Sequence, residues 1–347
     1  MLPTTNAYPE YIIPDLLASW PWHELKIWPW IKKQKTKLMH GSRNSWLAKS
    51  PNLFNMLLTP DIADLLASLA VSIQGREHLC ISCDLLNLFF AFDEYTDAVN
   101  EEETTKIASD VMNAFRNTSS SSSNSKIAEM ARQFFERTVA LVGSDTEGTH
   151  MNHFISDFDA YAKSIIQEAN DRVNGHIRSV EEYFILRRNT CGAKPCFSFF
   201  GLGLFIPQDV FEHPLIVSLA ESAADLIAMT NDLHSYAVEH ARGLDGHNVI
   251  TAIMHQHALD FQGAVFWLSE YASTTISKFL ADQKNMPSWG EQVDGGVEEY
   301  INRMARCVRG ADACSYESKR YYGVKGAQVQ KTRRTMLKLR KTGHIIF

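Results

Sequence analysis

Apolar residues recur at intervals of three and four positions along most of the chain after residue 60. This spacing places them on one face of an α-helix. Alternating runs closed by Asn-Gly or Asp-Gly turns, which would indicate strands, are absent from the pattern. The sequence therefore predicts an all-α fold, with helices over residues 61–69, 79–92, 104–116, 126–142, 151–171, 178–190, 216–240, 246–283, 295–309 and 326–341.

Two segments depart from the helical pattern. Residues 1–60 are rich in Pro and Trp, as in Trp20-Pro21-Trp22, which predicts an irregular segment that packs onto the helical body. Residues 117–125 are a low-complexity Ser/Asn run, which predicts a surface loop. No internal repeat is visible, so we expect residues 1–347 to form a single domain.

Composition and charge exclude several classes of protein. Hydrophobic residues make up 45% and charged residues 21% of the 347 positions, an ordinary globular balance. The net charge of −6 predicts no general affinity for nucleic acid, and the basic stretch 331–341 is interpreted as a solvated helix face. A basic start followed by an apolar run, typical of a secretory signal, is missing. No apolar run is long enough to span a membrane, so a cytoplasmic location is expected.

Six cysteines are scattered along the chain, and two of them form a lone C-x-x-C. No second Cys or His pair lies at the distance typical of a zinc ribbon. We therefore interpret the cysteines as packing thiols. They are Cys80, Cys83, Cys191, Cys196, Cys307 and Cys314.

The first unusual polar cluster follows the apolar run 85–92. Asp93 and Asp97 are four positions apart, so they share one face of a helix, and Phe89 lies one turn before Asp93 on that face. If this face were exposed, the phenyl ring would lie in water. If it were buried, two unpaired carboxylates would carry a high desolvation free energy. A cavity that is partly open to water, with an aromatic floor and an anionic rim, accommodates both the ring and the carboxylates.

A second apolar helix carries a similar cluster. Asn231, Ser235 and Glu239 recur at every fourth position, which aligns an amide oxygen, a hydroxyl and a carboxylate on one face. Mg²⁺ prefers such oxygen ligands and usually keeps water or a substrate phosphate in its remaining positions. Either cluster alone is more often a solvated helix face, but together they predict a magnesium site.

These clusters resemble two metal-binding motifs of class I terpene synthases. The D-E-x-x-D run that begins at Asp93 is similar to the family's aspartate-rich motif, and the N-D-x-x-S-x-x-x-E run that begins at Asn231 is similar to its second motif. Residues 14–22 and 241–250 resemble the fungal, particularly basidiomycete, sesquiterpene synthases. The resemblance extends from about residue 10 to 330.

The resemblance implies a helical bundle around a central apolar cavity and a carbon–oxygen lyase activity. Three Mg²⁺ ions would be held by the two motifs together with a prenyl diphosphate, favoured to be farnesyl diphosphate. Phe89 and Phe92 would line the cavity and stabilise a carbocation through their π faces. The product would be a cyclic, or a linear, sesquiterpene hydrocarbon or alcohol. Related synthases are monomers or homodimers.

Two further matches concern the diphosphate. The run that contains Arg188, Cys191 and Gly192 resembles the family's diphosphate-sensing helix break, in which these residues would act as sensor, linker and effector. Arg320 and Tyr321 resemble the family's C-terminal Arg-Tyr pair, which adds two donors to the diphosphate. A guanidinium suits this role because it binds phosphate through two parallel hydrogen bonds.

The chain departs from the family at three positions. Lys319 stands where the family usually has Glu, and Cys307 and Cys314 stand where basidiomycete relatives tend to have Trp. Loss of an indole at position 314 would remove a cation–π partner worth about 0.5–2 kcal/mol. We therefore expect a roomier or differently shaped cavity and an unusual or early-quenched product.

Three alternatives remain beside the sesquiterpene synthase. A monoterpene or linear terpene alcohol synthase would use the same motifs with geranyl or farnesyl diphosphate. A chain-elongating prenyl synthase would need a second aspartate-rich motif, which is missing. A helical protein that binds prenyl diphosphates without turnover is the non-enzymatic alternative, and diphosphate release from farnesyl diphosphate separates it from an enzyme.

Overall fold

Helices dominate the computed structural model, which describes residues 10–23, 60–70, 75–97, 99–116, 125–142 and 149–338. The predicted all-α class is confirmed, and most of residues 1–60 and of the Ser/Asn run lie outside the described residues. The helices are α1 (Pro60–Ala70), α2 (Arg76–Asp97), α3 (Glu101–Arg116), α4 (Lys126–Val142), α5 (Thr149–Asn174), α6 (Val180–Thr190), α7 (Ala193–Phe200), α8 (Gln208–Phe211), α9 (Pro214–Arg242), α10 (Val249–His257), α11 (Phe261–Lys284), α12 (Glu291–Glu317), α13 (Lys319–Tyr322) and α14 (Gly326–Thr332).

One continuous apolar core joins the helices. Helix α9 packs against α11 on one side and α12 on the other, while α5 packs against α3 and α7. The largest aromatic cluster lies between α3, α4 and α5, where the rings of Phe115, Phe154 and Phe158 contact one another. Within the part of the chain that the structure describes, no helix is long and apolar enough to cross a bilayer.

Residues that favour a helix boundary lie at both ends of α9. Pro214 occupies its first turn, where a missing N–H costs nothing, and the imidazole of His213 accepts a hydrogen bond from the Leu215 amide at 3.3 Å. Gly243 ends the helix with a φ of 74°, a left-handed conformation that favours glycine. The uninterrupted helix between these signals carries the whole Asn231–Glu239 cluster on one face.

A sharp break separates α6 from α7. Ser179 and Glu182 form a reciprocal capping box that fixes the start of α6. The helix ends at Thr190, and Gly192 follows with a φ of 69° before α7 begins. Pro195 lies in the first turn of α7, which needs no backbone donor there. The glycine and the proline therefore produce the break that the sequence predicts.

The N-terminal segment 10–23 lies against the C-terminal part of the chain. Its strand β1 (Glu10–Ile12) pairs antiparallel with β2 (Arg334–Met336), and Ile12 faces Arg334 in the register. Trp20 is fully buried, and its indole Nε1 donates a hydrogen bond to the Ala305 carbonyl at 3.1 Å. This segment thus covers one side of α12.

Two predicted helices are wrong in their extent. The prediction 246–283 spans two helices, because Ala258 is left-handed (φ 52°) and Asp260 caps α11 by accepting from the Gly263 amide at 2.7 Å. The prediction 326–341 is too long, because Arg333 (φ 54°) ends α14 and the next residues form β2. In the second case the partner strand lies more than 300 residues away, so local spacing could not reveal it.

Candidate active site

A cavity of about 300 Å³ opens between α2, α6, α7, α9 and α12. This volume is typical of small-molecule sites. Its wall is apolar and aromatic over most of its area and also contains acidic, amide, hydroxyl and guanidinium groups. The lining residues are Leu66, Leu86, Phe89, Phe90, Asp93, Tyr161, Arg187, Thr190, Cys191, Gly192, Ala193, Cys196, Phe200, Ile227, Thr230, Asn231, Glu239, Cys307, Ala311, Cys314, Ser315, Ser318, Arg320 and Tyr321.

Helix α2 supplies the aromatic floor and one edge of the polar rim. Leu86, Phe89, Phe90 and Asp93 are spaced by three and four positions, so they form one helical face toward the cavity. The predicted juxtaposition of an aromatic floor and a carboxylate on this face is therefore observed.

Phe92 does not belong to this face. It is fully buried behind the wall, where its ring contacts Phe158 at 6.0 Å and Tyr161 at 5.5 Å between centroids. Phe92 directly precedes Asp93 in the helix. Its side chain therefore points about 100° away from that carboxylate and into the aromatic cluster. The prediction that Phe92 lines the cavity is wrong.

The polar rim begins at Asp93. Its Oδ1 accepts a hydrogen bond from the Tyr161 hydroxyl of α5 at 2.5 Å, which orients the carboxylate at the cavity edge. Asp97 is the last residue of α2, one turn further on, and its side chain lies outside the described residues. Its role as a metal ligand stays a prediction.

The opposite side of the rim comes from α9. Asn231 and Glu239 both line the cavity, and Ser235 lies buried between them on the same helix. The Asn231 amide donates from Nδ2 to the Tyr321 hydroxyl at 3.0 Å. The Ser235 hydroxyl, one turn before Glu239, donates to the Asp232 carbonyl at 3.4 Å. The three predicted oxygen donors thus form one continuous polar strip.

The Glu239 carboxylate is held in an environment that disfavours its charge. Burial, and then the neighbouring Asp232 carboxylate, raise the pKa of Glu239 to about 7. The Asn248 amide donates to its Oε2 at 2.9 Å and opposes this shift. A cation placed beside Glu239 would restore the ionised form.

The donors at this rim suit a hard divalent cation. Among the residues that the structure describes, no three His, Cys, Asp or Glu side chains are close enough to hold a metal by themselves. Asp93, Asn231, Ser235 and Glu239 offer oxygen atoms only, from two facing helices. Mg²⁺ is bound in this way where a phosphate-bearing ligand and water complete its coordination.

Arg187, and not Arg188, faces the cavity. Arg187 lies on the same face of α6 as Thr190 and Cys191, three and four positions later, and all three line the cavity. Arg188 instead forms a bidentate pair with Asp225, with N–O distances of 2.8 and 2.9 Å. The prediction that Arg188 lies at the cavity is therefore wrong. The adjacent residue, Arg187, lies there instead.

Arg187 is fixed by the second metal-motif helix. Its Nη2 donates to Asn231 Oδ1 and to Asp232 Oδ1, each at 2.9 Å. Asp232 is almost completely buried and also accepts a hydrogen bond from the Tyr183 hydroxyl. Spacing from Cys191 could have identified Arg187 in the sequence, since it lies four positions earlier, but Asp232 and Tyr183 carry no such signal.

Arg320 and Tyr321 lie at the mouth of the cavity on the short helix α13. The Arg320 guanidinium is exposed and lies 5.7 Å from the Phe90 ring centroid. Next to this pair, the Tyr322 hydroxyl contacts His234 Nδ1 of α9 at 2.7 Å. The pair adjoins the oxygen rim through Tyr321, whose hydroxyl accepts the hydrogen bond from Asn231.

Gly192 forms the turn that brings the helix break to the cavity. A Cβ at this position would lie 3.5 Å from the Phe89 ring, an ordinary contact, so the left-handed φ is the main constraint. We expect Gly192→Ala to lower the free energy of unfolding by about 1–2 kcal/mol. Gly295→Ala, in open space on α12, should instead raise it by up to about 1 kcal/mol. Urea titration of both variants measures the difference, and equal effects would contradict it.

Four of the cysteines line the cavity. Burial raises the pKa of Cys191 and Cys196, and it raises the pKa of Cys307 and Cys314 to about 12 each. These thiols are therefore protonated and uncharged at neutral pH. The interpretation of the cysteines as packing residues accounts for their burial, while their position adds a soft, neutral wall to the cavity.

Cys314 occupies a place where a larger side chain would fill the cavity. It packs against Leu69 of α1 on one side and opens to the cavity on the other. We expect Cys314→Trp to change the product profile, because the indole must enter the cavity, and to cost about 1–3 kcal/mol of stability through overpacking. Cys314→Ser preserves volume and should retain the main product. Gas chromatography of both variants tests this, and an unchanged Trp profile would contradict it.

Comparisons with known proteins agree with this geometry. Residues 84–278 match the model of terpene synthase family 2, C-terminal metal binding, and this range contains α6, α9 and the part of α2 that carries Asp93. Sesquiterpene synthase Agr9 of Cyclocybe aegerita is 40% identical over 336 residues, which cover 95% of this chain and 88% of that relative. Agr8 of the same fungus is 37% identical, with 97% and 94% covered. A Delta(6)-protoilludene synthase of Armillaria gallica is 36% identical, with 91% and 90% covered.

Solved structures share the fold at much lower identity. Germacradien-4-ol synthase from Streptomyces citricolor superposes with a TM-score of 0.67 at 21% identity, covering 81% of this chain and 95% of that one. Linalool/nerolidol synthase from Streptomyces clavuligerus, solved with 2-fluorogeranyl diphosphate, gives a TM-score of 0.69 at 16% identity, with 90% and 98% covered. The arrangement of helices is therefore the same as in these structures.

Proposed function

The chain belongs to the terpene synthase family of metal-binding enzymes, and from this premise we propose that it is a magnesium-dependent sesquiterpene synthase acting on farnesyl diphosphate. The observation that carries the proposal is the junction of an aromatic cavity with a rim of oxygen donors and two arginines. An apolar chain fits the first part and a diphosphate fits the second. A prenyl diphosphate combines both.

The proposed metal ligands are Asp93, Asp97, Asn231, Ser235 and Glu239, and the family's pattern implies three Mg²⁺ ions. Bound with the diphosphate, the ions would neutralise its charge and favour departure of the leaving group. Of the proposed ligands, Asp93 on α2 and Asn231 and Glu239 on α9 line the same cavity. Oxygen ligands on rigid helices keep this geometry without rearrangement.

Three protein donors complete the grip on the leaving group. Arg187 and Arg320 would bind diphosphate oxygens through their guanidinium groups, and Tyr321 would add a hydroxyl donor. The C1–O bond breaks, and its electron pair leaves with the diphosphate oxygen. No protein acid is required, because positive charge at the rim stabilises the departing anion.

The allylic cation that remains would lie in the apolar part of the cavity. The faces of Phe89 and Phe90 offer π electrons to the positive charge. Cys191 and Cys307 lie in the same wall, but protonated thiols are weaker nucleophiles than thiolates. Their raised pKa means that no thiolate faces the cation. The reaction ends when the cation loses a proton or takes up water.

The product is proposed to be a cyclic sesquiterpene hydrocarbon or alcohol. The related synthases named above are sesquiterpene synthases, and one is named for Delta(6)-protoilludene, which supports a C15 substrate and a cyclic product. A linear alcohol from farnesyl or geranyl diphosphate is the second outcome to be tested. Cys307 and Cys314 are buried and smaller than the Trp that basidiomycete relatives tend to have at these positions. The experiment therefore also tests for a linear alcohol.

Incubation of the purified protein with farnesyl diphosphate, with Mg²⁺ or with EDTA, tests the proposal. We expect a metal-dependent C15 product by gas chromatography–mass spectrometry, lost in Asp93→Ala and in Asn231→Ala. Release of diphosphate with only farnesol or nerolidol would indicate ionisation without cyclisation. Turnover of geranyl diphosphate alone would indicate a monoterpene synthase. No turnover by folded protein would support the binding protein instead.

A further inference from the structure

A fully buried asparagine outside the two metal motifs contacts the proposed metal site. Asn248 lies just after the turn that follows α9, and none of its surface is exposed. Its Nδ2 donates to Glu239 Oε2 at 2.9 Å and to the Asp232 carbonyl at 3.0 Å. Its Oδ1 accepts from the Ile250 amide at 3.0 Å and so caps α10. All the hydrogen-bonding groups of this amide side chain are therefore engaged, two of them with α9.

The turn that delivers Asn248 is fixed at several points. Gly243 reverses the chain, and His240 Nδ1 contacts Asp245 Oδ2 at 2.7 Å across the turn. The Val249 amide donates to Asp232 Oδ2 at 2.9 Å. The backbone on either side of the asparagine is thus tied to the end of α9. A side chain held in this way cannot follow Glu239 if the carboxylate moves.

The same buried carboxylate links this turn to the cavity arginine. Asp232 binds Val249 through one oxygen and Arg187 through the other. Arg187, Glu239 and Asn248 consequently share one network of short contacts around α9. The network orients one cationic and one anionic group at the rim together.

We propose that Asn248 is a positioning residue that holds the Glu239 carboxylate in the orientation needed to bind the metal. This inference rests on the proposed function. With Oε2 engaged by the amide, the carboxylate cannot turn away from Ser235 and Asn231 on the same strip. Outer hydrogen-bond partners of metal ligands typically contribute about 10- to 100-fold to metal affinity or activity. Asn248 lies outside the motifs, yet its contacts place it in this class.

Thermal unfolding with Mg²⁺ and inorganic diphosphate tests the proposal without turnover. Ligands that bind only the folded state raise the melting temperature, by an amount that grows with the logarithm of the ratio of ligand concentration to Kd. Asn248→Ser retains a good helix cap but removes the amide donor. We expect this variant to need at least about tenfold more Mg²⁺ than the wild type for the same shift. Its kcat should fall while the circular dichroism spectrum stays the same.

A matched cap variant separates positioning from stability. Asp260→Ser replaces the cap of α11, which does not line the cavity, and should leave the Mg²⁺ dependence unchanged. If Asn248→Ser does not fold, Asn248→Asp retains the shape and the cap while presenting an acceptor to Glu239. Asn248→Asp should reduce the Mg²⁺-dependent rise in melting temperature at least as strongly as Asn248→Ser.

The outcomes distinguish the inference from the proposed function. If the wild type shows no shift with Mg²⁺ and diphosphate, the proposed function fails. If the melting temperature of Asn248→Ser or Asn248→Asp rises at the same Mg²⁺ concentration as that of the wild type, the positioning role of Asn248 is overturned. A loss confined to the Asn248 variants, with Asp260→Ser unaffected, supports it.

Discussion

Replacing Glu239 with Gln is expected to lower kcat/KM for farnesyl diphosphate about 10³-fold and, in the metal-free protein, to raise the melting temperature. Glutamine keeps the shape of the side chain but removes the charge that a metal ion requires. Loss of about 4 kcal/mol of transition-state stabilisation corresponds to this factor. The stability gain arises because the wild-type carboxylate is ionised in a buried place beside Asp232.

The sign of the stability effect follows from the raised pKa. Glu239 ionises at the ordinary pKa of 4.5 when unfolded and at about 7 when folded, so the folded state binds the proton more tightly. The carboxyl therefore disfavours folding progressively as the pH rises from about 4.5 to 7. The Gln variant lacks this contribution, so its advantage in melting temperature should grow across that interval and then level off.

Melting curves in EDTA between pH 5 and pH 8 measure this difference. The exposed Glu270 of α11 gives a matched control, because Glu270→Gln removes one charge far from the cavity. It should change neither the activity nor the pH dependence of the melting temperature. A Glu239→Gln variant that is active, or that is destabilised equally at every pH, would contradict the prediction.

The second large effect is expected at Arg187. Arg187→Lys retains the positive charge but loses the planar guanidinium, whose Nη2 donates to both Asn231 and Asp232, so kcat should fall about 100-fold. Arg188→Lys is the matched control, because the two residues are adjacent on α6. Since Arg188 pairs with Asp225 away from the cavity, its replacement should change kcat less than fivefold, roughly 1 kcal/mol.

Single-turnover kinetics with farnesyl diphosphate, which isolate ionisation from product release, provide the measurement. The reverse ranking, with Arg188→Lys as the severe variant, would contradict the assignment of Arg187. It would imply that the end of α6 rotates when the substrate binds and exchanges the two side chains. Similar effects at both positions would contradict a distinction between them.

The comparison of the two arginines illustrates how far the sequence alone could lead. Helical spacing correctly placed Phe89 below Asp93, and Asn231 on one strip with Glu239, because these relations lie within one helix. Phe92 was misplaced since an adjacent residue points about 100° away. The resemblance suggested Arg188, but the phase of α6 relative to the cavity depends on packing, which a motif does not contain.

Other features depend on contacts that local patterns cannot express. The interruption between α10 and α11 depends on the left-handed Ala258, a conformation that the residue itself disfavours. Asn248 lies outside the two motifs, and only the turn after α9 brings its amide to Glu239. Asp232 belongs to its motif, but local spacing does not show that it is the buried residue that binds both Arg187 and Val249.

The pairing of β1 with β2 has a consequence for biosynthesis. Residues 10–12 are synthesised more than 300 residues before their partner strand at 334–336. At about 5–20 residues per second, this interval lasts tens of seconds. Throughout it β1 has no partner edge, and Trp20 lacks the Ala305 carbonyl that satisfies its indole until α12 has been made. Closure of the N-terminal segment over the bundle therefore waits until residues 334–336 have been made, and a nascent chain stalled before residue 334 would present an unpaired strand to chaperones.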